Sequence, residues 1–185
     1  MATPPITAPG FVSQGTTGVD FTATYSAVSQ TNPATPEYPG LPFYPGQRVT
    51  ANNGAEWAFV TAGGTIAQYD CVFIDSTFAS VKSIIGKTLA PSAGFIGFCQ
   101  VSGITSGVSF WAMISGEPII NLAGSVGAAG SILYTTTTSG VLGNTTLSTS
   151  QYQVMSVLNV GTNSGSTASA TQCTAIAPMI RRPAT

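Results

Sequence analysis

The sequence predicts an all-β protein: a compact β-barrel or sandwich head carrying a long extended N-terminal arm, with almost no helix. Three observations lead there. From Glu56 onward, short runs rich in Val, Ile, Phe and Thr alternate with clusters of Gly, Ser, Asn and Asp, a spacing that suits many short strands joined by turns. No window of about 11 or more residues carries an i, i+3, i+4, i+7 apolar stripe free of glycine and proline, so amphipathic helices have nowhere to form. Eight of the 12 prolines fall in the first 45 residues, where a fixed φ and a missing donor favour an extended course.

The arm spans residues 1–51. Phe11, Val12, Val19, Phe21, Tyr25, Val28, Tyr38, Leu41, Phe43 and Tyr44 punctuate it, whereas solvated linkers avoid such residues. It either folds back over its own head or lies on another subunit. Ordering it costs about 1 to 2 kcal/mol per residue in backbone entropy, so it needs an extensive surface of one kind or the other.

The head spans residues 52–180. Its candidate strands are Glu56–Thr61, Asp70–Ile74, Ala79–Ile85, Phe95–Val101, Val108–Ser115, Pro118–Leu122, Ser131–Thr136, Gln153–Leu158 and Thr171–Ile176. Turn chemistry between them comes from Gly63-Gly64, Gly103 to Gly107, Gly124 to Gly130 and Ser139-Gly140. In Val108–Ser115, Phe110, Ala112 and Ile114 fall on one parity and Trp111 and Met113 on the other, so both faces of that strand are at least partly covered. The small polar stretch Asn159 to Thr171 reads as an exposed loop. Residues 181–185 read as a tail, with Arg181 and Arg182 exposed between Pro178 and Pro183.

Composition excludes several function classes. Of 185 residues only 6% are charged, the formal net charge is -1, and histidine is absent; the mean hydropathy is +0.31. Neutralising a phosphate backbone needs clustered Lys or Arg, so no nucleic-acid partner is expected. No run approaches the roughly 18 apolar residues of a membrane span, and no signal peptide is visible at Met1 to Gly10. Cys71, Cys99 and Cys173 are odd in number and widely spaced. They fit small buried hydrophobes better than a disulfide framework or a zinc site, in a chain made in a reducing cytoplasm.

Without histidine there is no Ser-His-Asp or Cys-His pair and no His-ligated metal. The acids are Asp20, Glu37, Glu56, Asp70, Asp75 and Glu117. Asp70 and Asp75 bracket the apolar run Cys-Val-Phe-Ile and point to opposite faces of a regular strand, so they read as turn residues. Gly124 to Gly130 lacks the Lys-Ser/Thr ending of a P-loop. No catalytic residue, metal site or cofactor is expected, and the protein is read as a non-enzyme.

The order of motifs is similar to a known family. Gly63-Gly-Thr-Ile-Ala-Gln-Tyr-Asp-Cys-Val72, Gly94-Phe-Ile-Gly-Phe98, Val108-Ser-Phe-Trp-Ala-Met-Ile-Ser-Gly116 and Ala129-Gly-Ser-Ile-Leu-Tyr134 followed by Gly140-Val-Leu142 resemble the capsid decoration, or cement, proteins of tailed bacteriophages. The likeness covers roughly Glu56 to Ile180. It implies a β-barrel-like head, usually a homotrimer, on the outer capsid surface of a virion, with an N-terminal segment that reaches neighbouring subunits of the major capsid protein. The chain departs from the family pattern in Tyr69, where a glycine commonly precedes the Asp, in its long arm, and in added residues after Gly161. On this footing Phe11, Phe21, Tyr25, Tyr38, Phe43 and Tyr44 are the expected capsid-binding anchors, because aromatic residues dominate interface hot spots, and Trp111 and Met113 the expected oligomer interface. Two alternatives stay open: a virion fibre or receptor-binding module whose loop Asn159 to Thr171 meets a host glycan, and a carbohydrate-binding β domain resting on Trp57, Trp111 and the scattered acids.

Overall fold

The computed structural model describes residues 19–26, 43–78, 82–83, 94–124, 126, 129–144, 153–159 and 167–181. Among them there is no helix. The strands are β1 (Thr24–Ser26), β2 (Arg48–Thr50), β3 (Glu56–Thr61), β4 (Cys71–Asp75), β5 (Lys82–Ser83), β6 (Gly94–Cys99), β7 (Val108–Gly116), β8 (Ile119–Leu122), β9 (Leu133–Thr135), β10 (Leu142–Gly143), β11 (Gln153–Asn159) and β12 (Ser169–Arg181).

The all-β, helix-free character is present, but the expected barrel or sandwich head is not. All the strands join one sheet whose main path runs β11-β9-β10-β8-β12-β7-β6-β4-β5. It is mixed, because β10 and β8 run parallel. An additional β11–β12 pairing ties one end of the path back to its middle, while the other end finishes at β5, so the sheet as a whole is not closed. The reason lies in β7. Its nine residues pair with β3 from Ser109 to Ser115 and also, in succession, with β1 at Val108–Phe110, with β6 at Ala112–Met113 and with β12 at Ser115–Gly116. A strand that hands its partners on in this way branches a sheet instead of wrapping it shut.

β12 is much longer than Thr171–Ile176. It begins at Ser169, inside the stretch read as an exposed loop, and Ser169 to Gln172 pair with Leu122 to Ile119 of β8. Burial alternates along it, with Thr171, Cys173 and Ala175 inward and Gln172 and Ile176 outward. Small residues with β-branched threonines suit a strand once a partner exists. Arg181 is also part of β12, opposite Gln153.

Three apolar clusters fill the molecule. One is largely aliphatic and joins β4 and β6 to β8–β12 through Phe73, Ile96, Phe98, Ile120, Leu122, Leu133, Leu142 and Val154. The other two lie on opposite faces of the β3–β7 ladder, following the period-2 alternation of strands. Ala58, Val60, Phe110, Ala112 and Ile114 belong to the second cluster, with Ile66, Val72, Ile74, Cys99 and Ile104. Trp57, Phe59, Trp111 and Met113 belong to the third. Both parities of β7 are therefore buried, and what buries the second parity is the N-terminal region of the same chain: Val19, Phe21, Val49 and Ala51, with Tyr25 and Phe43 packed alongside. These pieces of the 1–51 arm share the core of the head.

Candidate functional site

Among the described residues no group of three or more His, Cys, Asp or Glu could hold a metal ion, and no helix is long and apolar enough to cross a membrane. The most distinctive constellation is the aromatic cradle on the β3–β7 face. Its floor is Trp57 and Phe59 from β3 and Trp111 from β7, with Phe59 directly opposite Trp111 in the ladder. Phe59 and Trp111 meet with ring centroids 5.1 Å apart.

Two separate stretches of the N-terminal region cover this floor. Phe21 stacks on Trp57 at 4.6 Å and meets Trp111 edge-on at 5.8 Å. Phe43 packs on Trp111 at 5.0 Å and on Phe59 at 5.4 Å, and Tyr25 lies 5.6 Å from Phe59 and 5.8 Å from Phe43. Such pairs contribute about 0.5–1.5 kcal/mol each beyond area burial. The local chain is built for this placement. Asp20 accepts hydrogen bonds from the N–H and hydroxyl of Thr22, a turn that aims Phe21 inward, and β1 then pairs with β7 as Thr24↔Phe110, Tyr25↔Ser109 and Ser26↔Val108. Burial and the nearby Asp20 charge push the Tyr25 phenol above its ordinary value. The other stretch is fixed by Gly46 N–H to the Phe59 carbonyl and Phe59 N–H to the Gln47 carbonyl, both 2.8 Å.

The cover leaves two polar atoms unserved. The indole N–H groups of Trp57 and Trp111 are buried without an acceptor. A buried donor left in this state costs about 1–3 kcal/mol, which offsets part of what the aromatic contacts contribute.

The expected site residues separate accordingly. Phe21, Tyr25 and Phe43 come together in the cradle, with Phe21 buried at 5% exposure. Tyr44, next in sequence to Phe43, points away at 83% exposure. Phe11 and Tyr38 lie outside the described residues. Trp111 is fully buried and Met113 nearly so, both within their own chain. Trp57 and Trp111 offer no open ring face of the kind a sugar platform uses, since Trp57 is only 7% exposed and stacked against Phe21.

The acids also settle into local roles. Asp75 accepts from the N–H and hydroxyl of Thr77, and Glu117 accepts from the Gln172 amide. Asp70 is buried and accepts from Ala67 N–H at 3.0 Å and from the Asn121 amide at 3.3 Å. Gly140 faces it with φ +72°, and a Cβ there would overlap the Asp70 carboxyl. Just before it, Tyr69 has φ 68°, a left-handed conformation that favours glycine. Its N–H donates to the Cys99 carbonyl at 2.7 Å and its carbonyl accepts from Asn121 N–H at 3.0 Å, so the turn is held by both its backbone groups despite the side chain. The cradle itself escaped the sequence because β1 is three residues long and Phe21 and Trp57 are far apart in the chain; the mixed parity of β7 was the signal that something covers Trp111.

Compared with known families and with curated proteins, the chain matches no family model and no curated protein.

Proposed function

We propose that the protein is a structural virion component that decorates the outer surface of a tailed-bacteriophage capsid, as a homotrimer, and stabilises it by tying together neighbouring major capsid subunits. The motif resemblance from Glu56 to Ile180 supports this role. The observation that carries it is the rooting of the N-terminal region. Residues 19–26 and 43–51 are pinned into the core of the head, and Tyr44 projects at 83% exposure directly beside the pinned Phe43. A limb that ties shell subunits must transmit load to a rigid body, and an aromatic cradle is such an attachment. With three copies, each further contact becomes intramolecular and avidity rises well beyond a single contact. Few charges are available, so attachment depends weakly on salt.

The rooting also dictates how the limb can be tested. Removing residues 1–45 would uncover Trp57, Phe59 and Trp111, whereas removing residues 2–18 spares every described contact in the cradle. The primary experiment is quantitative mass spectrometry of purified virions, reading copies of this chain against the major shell protein. A ratio near one, or a simple fraction of it, is the expected result. A few copies per particle would move the protein to a fibre or vertex position, and absence from virions would overturn the proposal.

A further inference from the structure

Tyr25 and Phe43 touch, with ring centroids 5.8 Å apart, yet the chain between Ser26 and Phe43 runs through 16 residues, four of them proline (Pro33, Pro36, Pro39 and Pro42). Fully extended, 16 residues reach about 53–58 Å. A folded domain of this length has a radius of gyration of about 16 Å, so the same stretch is long enough to carry residues 19–26 from one copy onto the head of an adjoining copy. Joining two points that touch needs only a short turn.

The segment itself is suited to removal and replacement. It holds the head through three residue pairs on β7 and through the rings of Phe21 and Tyr25. The unpaired indole N–H groups of Trp57 and Trp111 beneath it reduce what the covering gains. By contrast β2, on the far side of the 16-residue stretch, is tied to β3 by a full three-pair ladder, reinforced by the Gly46–Phe59 and Phe59–Gln47 backbone bonds. The release point thus lies between Ser26 and Phe43, with Phe43 staying on its own head.

We propose that the cradle is an exchange site between copies of this chain: on association, the segment Val19–Ser26 of one copy takes the place of its equivalent on the next, pairing with that copy's β7 and stacking on its Trp57. Every contact made within one chain is remade between chains, so the exchange changes connectivity without changing local geometry, and closed point symmetry lets each copy donate once and receive once. The Pro-rich stretch then links copies mechanically. This inference concerns contact between copies and stands whether or not the assembly sits on a capsid.

The ladder supplies the test. Ser26 is opposite Val108, and directly opposed residues in an antiparallel pair have Cβ atoms about 4.5–5.5 Å apart, within reach of a disulfide after mild oxidation. Cys71, Cys99 and Cys173 are all fully buried and give no background in the native state. Full-length Ser26→Cys and Val108→Cys chains of different mass, co-folded at high concentration, are expected to give a covalent heterodimer as the main oxidised product. The chain carrying both substitutions is expected to give covalent oligomers up to a closed ring. Closure of the double variant within single chains, with no heterodimer from the mixture, would overturn the exchange. So would the absence of any cross-link, because β1 would then not occupy β7 in solution. Virion copy number is read separately, so either result leaves the decoration role to its own measurement.

Discussion

The two faces of the β3–β7 ladder are sealed by different means. On one, Ala58, Val60, Phe110, Ala112 and Ile114 pack against Val72, Ile74 and Cys99 from strands of the same sheet. The cover is drawn in so closely that a Cβ added at Gly97 would come 2.7 Å from Ile74 Cδ1 and 3.3 Å from the Ala112 Cβ. On the other, larger rings are covered by two short pieces of N-terminal chain, and two indole donors go unpaired. An aliphatic face closed by close approach has no spare polar group and no separable part. An aromatic face closed by a tethered segment keeps both, which is what an attachment or exchange point requires.

The largest expected effect contrasts Phe110→Ala with Phe21→Ala. Phe110 is fully buried on the aliphatic face, and its truncation should cost about 3–5 kcal/mol of global stability in denaturant unfolding. Phe21→Ala should cost less, about 2 kcal/mol, and should shift tryptophan emission to the red and raise acrylamide quenching while the far-ultraviolet spectrum keeps its β character. Equal, fully cooperative losses for the two would erase the distinction between the faces.

Gly97→Ala comes next. Crowding Ile74 and Ala112 should cost about 1–3 kcal/mol, read as a lowered denaturant midpoint at unchanged slope; a neutral result would mean the aliphatic face is looser than its geometry.

Alkaline pH should act first on the same face. Burial pushes the Cys99 thiol up to about 12, against a backbone hydrogen bond to Val101 that lowers it, with the Asp70 charge adding to the rise. Burial likewise raises the Cys71 thiol, with smaller contributions from Asp70 and Cys173. A raised folded value means that the unfolded chain ionises first, so this stability is intact below pH 9 and falls as pH rises from 9 towards 12. At pH 10 the loss is about 1.4 kcal/mol for such a thiol, measurable as a falling midpoint between pH 8.5 and 10.5. Native protein should show none of its three thiols to an aromatic disulfide reagent, and unfolded protein all three.

Smaller effects probe the turn and the projecting ring. Tyr69→Gly removes a left-handed strain of about 1–2 kcal/mol and adds unfolded-state entropy of about 0.5–1 kcal/mol, for a net gain of up to about 1 kcal/mol in thermal or denaturant unfolding. Tyr44→Ala should change stability by less than about 0.5 kcal/mol. Any loss of particle binding by that variant would therefore report contact rather than folding.

Much of the strand inventory was legible in the sequence. Glu56–Thr61 forms as read, and Cys71–Asp75, Gly94–Cys99, Val108–Gly116 and Ile119–Leu122 fall within a residue or so of the runs read from alternation and turn residues. The partial covering of both faces of β7 was legible too, since Trp111 and Met113 sit on the opposite parity to Phe110 and Ala112. β1, β2 and β10 were not, because two- and three-residue strands carry no periodicity; β12 was underread because its first residues are small and polar and become a strand through pairing with Ile119–Leu122.

What the sequence by itself determined is the all-β character, the lack of histidine chemistry and the local turn roles of Asp70 and Asp75. These depend on residue type and on neighbours a few positions away. Only the tertiary structure decided that the sheet branches at β7 rather than closing, that Phe21, Tyr25 and Phe43 cover Trp57, Phe59 and Trp111, and that Tyr44 does not. Those outcomes rest on which strand takes which partner across tens of residues, and a hydrophobic pattern states that a face must be buried without stating by what.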